Sequence, residues 1–229
     1  MKITKIEKQK KDTKRYSVFV DEKFVLGISQ ETLGHLGLKV GDKIDSNRLN
    51  EIEQKESSSK AKEFALKLLS FRPRSKRELK NRLKKKGFGQ EVAEQILDRL
   101  EELNLIDDHK FALLWVEEKL KNRPTGRKIL EQELYLKGIE KEIIQEVLDK
   151  TFSEIDEKDL ALKLFQKKKK QYLKLDEDTA KRRLNNLLLR RGFSYQTVAG
   201  IFYRWEELWG KWKDQIRYGY QIGRAKDQR

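Results

Sequence analysis

The chain has 229 residues, with 53 Lys and Arg against 38 Asp and Glu, a formal net charge of +15 and no cysteine. It therefore carries no disulfide framework, thiol nucleophile or thiolate metal site, and its cationic excess favours a polyanionic partner through counterion release and long-range steering. Charged residues make up 40% of the chain and hydrophobic residues 37%, which suits thin helical layers that each bury one stripe better than a single thick core.

Only two prolines occur, so helix is the default reading. The amino terminus lacks the apolar stretch of a signal peptide. No run of about 18 apolar residues is present that would span a membrane. The expectation is a soluble, cytoplasmic protein.

Residues 1–55 differ from the rest. Tyr16 to Val20 and Phe24 to Ile28 are β-branched and aromatic runs around Asp21-Glu22-Lys23, a hairpin signature. Ser29 is placed to cap a short helix over Leu33 to Leu36, and Gly37, Gly41 and Asp42 mark turns before a possible strand at Lys43 and Ile44. This reads as a small α+β unit, with Ser57 to Ser59 as its junction to the rest of the chain.

The remainder holds an internal repeat anchored on Gly87, Gly138 and Gly192. Leu79, Leu130 and Leu184 stand eight residues before these glycines, and Leu83, Leu134 and Leu188 four before. Lys86, Lys137 and Arg191 come directly before, and Phe88, Ile139 and Phe193 directly after. Leucines four apart form one helical face. A glycine after a basic residue ends that helix with a left-handed cap, and the next apolar residue supplies the accompanying contact.

Earlier helices are predicted over Ala61 to Ser70, Asp108 to Leu120 and Glu157 to Tyr172, and Ser75 with Glu78 forms a capping box. The predicted fold is mainly α: three tandem three-helix repeats (60–107, 108–155 and 156–209) in an elongated array. The small α+β unit precedes them, and a basic tail, 210–229, ends the chain. An insertion near Lys167 to Tyr172 is expected to lengthen the first helix of the third repeat.

Charge is segregated along the chain. Arg72 to Lys86 carries nine basic residues and one acid, Glu91 to Asp108 seven acids and one arginine, and Lys163 to Arg191 eleven basic residues and three acids. Eleven and ten residues before each aligned glycine stand Lys76-Arg77, Arg127-Lys128 and Lys181-Arg182. Cations near a helix N-terminus oppose the helix dipole, whereas free N–H groups beside two cations suit a phosphate. Each repeat is thus expected to offer a phosphate-binding corner; ion pairing with a neighbouring acidic helix is the alternative. Lys168 and Lys169, within a four-lysine run, are further candidate contacts.

Phe202, Trp205 and Trp209 are spaced as a core stripe, leaving Trp212, Tyr218 and Tyr220 as a candidate partner surface. Catalysis finds no support. His35 and His109 are far apart in the chain, and Gly37 to Lys43 lacks the ending of a phosphate-binding loop. No metal or cofactor is expected.

Read in order, Arg72-Pro-Arg-Ser-Lys-Arg-Glu-Leu79, Lys86-Gly87-Phe88, Leu105-Ile-Asp-Asp108, Phe111-Ala112, Arg123-Pro-Thr-Gly126 and Leu134 to Ile139 resemble the RecX family of regulatory proteins. The resemblance covers about residues 60–209, and Lys2 to Asp45 is similar to the extension of Gram-positive members. It implies a negative regulator that binds the RecA recombinase filament on single-stranded DNA. Filament extension, ATP turnover, recombination and co-protease activity fall as a result. Separately, a non-enzymatic monomer is expected.

Packing and capping account for Leu79, Leu83, Gly87, Leu134 and Gly138, so the expected contacts are Arg72, Arg74, Arg123 and the three basic pairs. A plain DNA-binding helical protein or transcriptional regulator is the alternative, but a nearly uniformly basic Arg72 to Lys86 suits phosphates better than base edges.

Overall fold

Period-two alternation makes Ile3, Val18, Val20 and Ile28 the buried face of an antiparallel sheet. Strands β1 (Ile3–Lys8), β2 (Arg15–Val20) and β3 (Lys23–Ser29) pair in that order. The hairpin predicted from sequence is β2–β3. Its turn residues Asp21 and Glu22 both have positive φ, 46° and 67°, as the twist of a two-residue hairpin requires. Strand β1 is not anticipated from sequence, because its lysines and glutamates dilute the strand signal. It braces that turn: the Lys2 N–H donates to Asp21 Oδ1 (2.9 Å) and the Glu22 N–H to Thr4 Oγ1 (2.9 Å). The possible strand at Lys43 reduces to a single bridge with Lys2. The computed structural model describes residues 1–10, 12–211, 213 and 214, without the side chains of Lys169 and Lys170.

Helix α1 (Gln30–Leu36) starts from Ser29, whose side chain accepts the Thr32 N–H, as expected. Helix α2 (Ser46–Phe71) then runs unbroken for 26 residues through Ser57 to Ser59. The serines therefore do not interrupt the chain. Their weak helix propensity is overridden by burial on both sides, at Ile52 and Glu56 before them and Ala61 and Ala65 after.

Glu56 is only 4% exposed. It accepts from the Ser29 N–H (2.8 Å) and the Thr32 hydroxyl (2.9 Å), and pairs with Arg15 (2.8 Å). A charge buried at this depth is tolerated only when it is paired and hydrogen-bonded. It ties the sheet and α1 to the middle of α2, whose far half is the first helix of the first repeat.

That repeat is completed by α3 (Lys76–Lys86) and α4 (Gln90–Glu102). The second comprises α5 (Asp108–Asn122), α6 (Arg127–Leu136) and α7 (Lys141–Glu154). The third comprises α8 (Glu157–Tyr172), α9 (Glu177–Arg190) and α10 (Tyr195–Tyr203), with residues 205–211 again helical. Met1–Asp107 and Asp108–Arg229 are two compact units.

The repeat signature maps onto one local structure used three times. Leu79, Leu83, Leu130, Leu134, Leu184 and Leu188 are fully buried. Gly87, Gly138 and Gly192 have φ of +96°, +82° and +74°. The following N–H of Phe88, Ile139 or Phe193 donates back to the carbonyl of Leu83, Leu134 or Leu188, each at 3.2 Å. This is the six-to-one bond of a Schellman cap, and it turns each chain toward the third helix of its repeat.

Phe202, Trp205 and Trp209 form the expected core stripe. Trp205 and Trp209 are almost fully buried and stack at 5.1 Å. The extra residues of the third repeat lengthen its second helix by four and its first, where the sequence pattern places them, by only one. Helix α8 has 16 residues against 15 in α5, whereas α9 has 14 against 10 in α6. Asp176, whose side chain accepts the Thr179 N–H, starts α9 earlier than its counterparts.

Candidate nucleic-acid interface

Of the two basic residues in each expected corner, the first is spent internally in repeats one and two. Lys76 Nζ lies 2.9 Å from Asp98 and 2.6 Å from Glu101, both on α4. Hydrogen bonds to Glu101 and then Asp98 hold its pKa above the usual lysine value. Arg127 pairs with Asp149 on α7 at 2.7 Å and donates to Gln145 at 2.8 Å. This is the alternative raised from sequence, in which a basic helix is neutralised by the acidic helix beside it. The second residues of the pairs, Arg77, Lys128 and Arg182, are exposed. Among the described residues they make no ion pair, and the same holds for Lys181 and Lys168.

At each of these helix N-termini part of the N–H set is already engaged. Ser75 Oγ accepts the Glu78 N–H at 3.2 Å on α3, and Asp176 does the corresponding work on α9. Because α9 begins early, Lys181 and Arg182 lie in its second turn. There they border an open groove of about 340 Å³ with Asp178, Asn185 and Phe202. Arg72 and Arg74 are also committed. Arg72 reaches Glu78 at 2.6 Å, while Arg74 pairs with the same carboxylate and donates Nε to the Leu68 carbonyl at 3.1 Å. Burial tends to raise the Glu78 pKa, but the two guanidiniums together hold it below the usual range. These two arginines fasten the α2–α3 connection to α3.

On α6 the N-terminus is consumed by another helix. The Gly126 N–H donates to the Arg191 carbonyl (2.8 Å) and the Lys128 N–H to the Gly192 carbonyl (3.3 Å). The C-terminal end of α9 thus caps the N-terminal end of α6, opposite dipole ends facing each other. The contact is backbone to backbone. A Cβ on Gly126 would lie 2.2 Å from Gly192 O, and one on Gly192 would lie 2.6 Å from the Ile129 nitrogen.

Arg123, a predicted contact, is exposed just before this seam. Arg191 stands on the other side. Burial and then the Arg123 charge lower its pKa from the ordinary arginine value. Sequence reasoning assigns Arg191 only a place before the capping glycine. The signal it misses is Gly126, which no local turn demands: its φ is −75°, so the close approach alone requires glycine. Trp212, Tyr218 and Tyr220 and the side chain of Lys169 lie outside the described residues. Among the described residues no group of acids and histidines is placed to hold a metal, and no helix is long and apolar enough to cross a membrane.

Family models match in the same order as the structural units. Residues 1–45 match the regulatory protein RecX N-terminal domain, and residues 61–100, 107–148 and 156–201 match the first, second and third RecX three-helix domains. The chain belongs to the RecX family. It is 34% identical over 202 residues to the regulatory protein RecX of Clostridium botulinum (strain Alaska E43 / Type E3), covering 87% of this chain and 94% of that one.

Against the RecX of Bacillus subtilis (strain 168) the identity is 34% over 216 residues, covering 94% and 77% of the two chains. A crystal structure of a regulatory protein RecX superposes with a TM-score of 0.69 at 29% identity, covering 86% of this chain and 96% of the other. The crystal structure of RecX from Lactobacillus salivarius shares the fold, with a TM-score of 0.58 at 24% identity over 65% of this chain and 96% of that one.

Proposed function

We propose that this chain is a negative regulator of the RecA recombinase, binding its filament on single-stranded DNA and restraining filament extension, ATP turnover and the recombination and co-protease activities that depend on it. The observation that carries the reading is a RecX-family repeat fold in which one member of each basic pair is exposed and makes no ion pair among the described residues. Arg77, Lys128 and Arg182 then meet phosphates, while Lys76 and Arg127 keep the helices of their own repeats together. The protein works by binding competition in the cytoplasm, as a monomer and without a cofactor. Occupying a filament can occlude DNA and bias subunit contacts without any covalent step.

The test is ATP hydrolysis by a RecA recombinase on single-stranded DNA, with this protein titrated in. Wild type suppresses turnover at substoichiometric amounts, and the Arg77→Ala, Lys128→Ala, Arg182→Ala triple variant requires far more protein for the same effect. Binding to DNA with no effect on turnover refutes filament regulation in favour of a plain DNA-binding protein.

A further inference from the structure

The basic residue directly before each capping glycine has a visible partner in two repeats and an adverse one in the third. Lys86 Nζ lies 6.0 Å from the Phe64 ring centroid and Lys137 Nζ 4.2 Å from that of Trp115. Each covers an aromatic from the first helix of its own repeat, a favourable cation–π arrangement. Arg191, the third member, has no ring and no acid among the described residues. Its charged neighbour is another cation, Arg123.

The seam holds the two arginines where they are. Arg123 begins the Arg-Pro-Thr-Gly126 loop, and the Gly126 N–H is bonded to the carbonyl of Arg191 itself. Pro124, Thr125, Gly126, Gly192 and Phe193 are all buried, and the Thr125 hydroxyl donates to the Arg123 carbonyl at 2.7 Å. The two backbones are therefore held against each other, which brings Arg123 and Arg191 to the same seam. Lys121 and Lys128 are exposed, and neither they nor Arg190 form an ion pair among the described residues; the acid on the far side of the seam, Glu157, accepts from Ser194 and Thr197. Two like charges brought to one seam oppose folding, and an anion bound between them removes the opposition. Guanidiniums bind phosphate oxygens in a planar, bidentate manner.

We propose that Arg123 and Arg191 form a phosphate-binding site at the α6–α9 seam, which grips the backbone of single-stranded DNA. The site rests on the DNA-binding half of the function proposed above. A series of phosphates fits two arginines flanked by Lys121, Lys128 and Arg190 better than a single carboxylate, which one arginine would satisfy.

Binding of a labelled oligothymidylate is measured across a salt series for wild type, Arg123→Gln, Arg191→Gln and the double variant. Each phosphate contact contributes about 0.7 to the slope of log affinity against log salt for a single strand. The double variant is therefore expected to lose about 1.4 of that slope. Its melting temperature should be unchanged or higher, since a repulsion is removed; a purely structural role would lower it.

An unchanged slope overturns the seam site while leaving DNA binding elsewhere intact. If wild type binds no oligothymidylate, yet only the double variant fails to slow RecA turnover, the pair engages an acidic protein surface and the phosphate site is refuted. A lost slope in a protein that never slows RecA keeps the seam site and sinks the filament reading.

Discussion

Gly126→Ala should unlock the second and third repeats from each other, and the geometry of the seam sets the cost. Gly126 already has a φ and ψ of −75° and 164°, which alanine adopts freely, so no backbone penalty arises. The new Cβ would sit 2.2 Å from Gly192 O and 2.3 Å from the Phe193 nitrogen, far inside contact distance and against backbone that cannot rotate away. If the helices stay in place, overpacking costs about 1–3 kcal/mol. If they separate, the two hydrogen bonds from Gly126 and Lys128 are lost, at about 0.5–1.5 kcal/mol each.

Gly89→Ala is the control. Gly89 is also an extended glycine at a helix N-cap without a side-chain cap bond, but nothing lies within 4 Å of its would-be Cβ. It should cost about 1 kcal/mol or less, the difference between glycine and alanine as a cap.

All four tryptophans lie in the Asp108–Arg229 unit, so fluorescence during urea unfolding reads that unit alone. With a urea slope of about 1–3 kcal/mol/M, a loss of about 2 kcal/mol moves the midpoint down by roughly 1–2 M. Gly89 lies in the other unit, so its variant is read by hydrogen exchange of the α4 amides, which should show a loss of about 1 kcal/mol or less. If the Gly126→Ala midpoint by fluorescence matches wild type, the backbone contact at the seam is not as close as described and the reasoning fails.

Three further outcomes are expected. Lys76→Ala should change stability by less than about 1 kcal/mol, because its ion pairs are largely exposed, and should leave the salt dependence of DNA binding intact; Arg77→Ala should reduce that slope by about 0.7. An equal loss in both variants would contradict the division between inward and outward cations. Glu56→Gln should destabilise Met1–Asp107 by about 3 kcal/mol, the scale of breaking a buried charge pair, measured by hydrogen exchange of the β2 and α1 amides. Acid should act through the same group. Burial tends to raise the Glu56 pKa, but the Ser29 N–H, the Thr32 hydroxyl and Arg15 together hold it below its ordinary 4.5. Its stabilisation is therefore present above that value and lost as pH falls through the lower folded pKa. Amide protection in Met1–Asp107 should decline over that acid window in wild type, and the decline should be shallower in Glu56→Gln. An identical decline in both would assign the acid sensitivity to other carboxylates.

The repeats are legible in the chain alone, since what makes them is local. Leucines four apart, a glycine at the left-handed position and an apolar residue after it specify a helix, its end and its turn within about ten residues of chain. Ser29, Ser75 and the Phe202–Trp205–Trp209 stripe are legible for the same reason. Which cations stay available to a partner is settled instead by packing. Lys76 and Arg77 are adjacent in sequence and have the same charge, yet one faces the acids of α4 and the other does not.

That choice depends on the angle at which two helices pack, which no short-range pattern encodes. The same holds for Glu56, whose partners lie 24 to 41 residues away in sequence, and for Gly126, whose need for a bare Cα is set by Gly192 in another repeat. Local sequence chose the elements; burial and charge pairing between distant elements chose the surface.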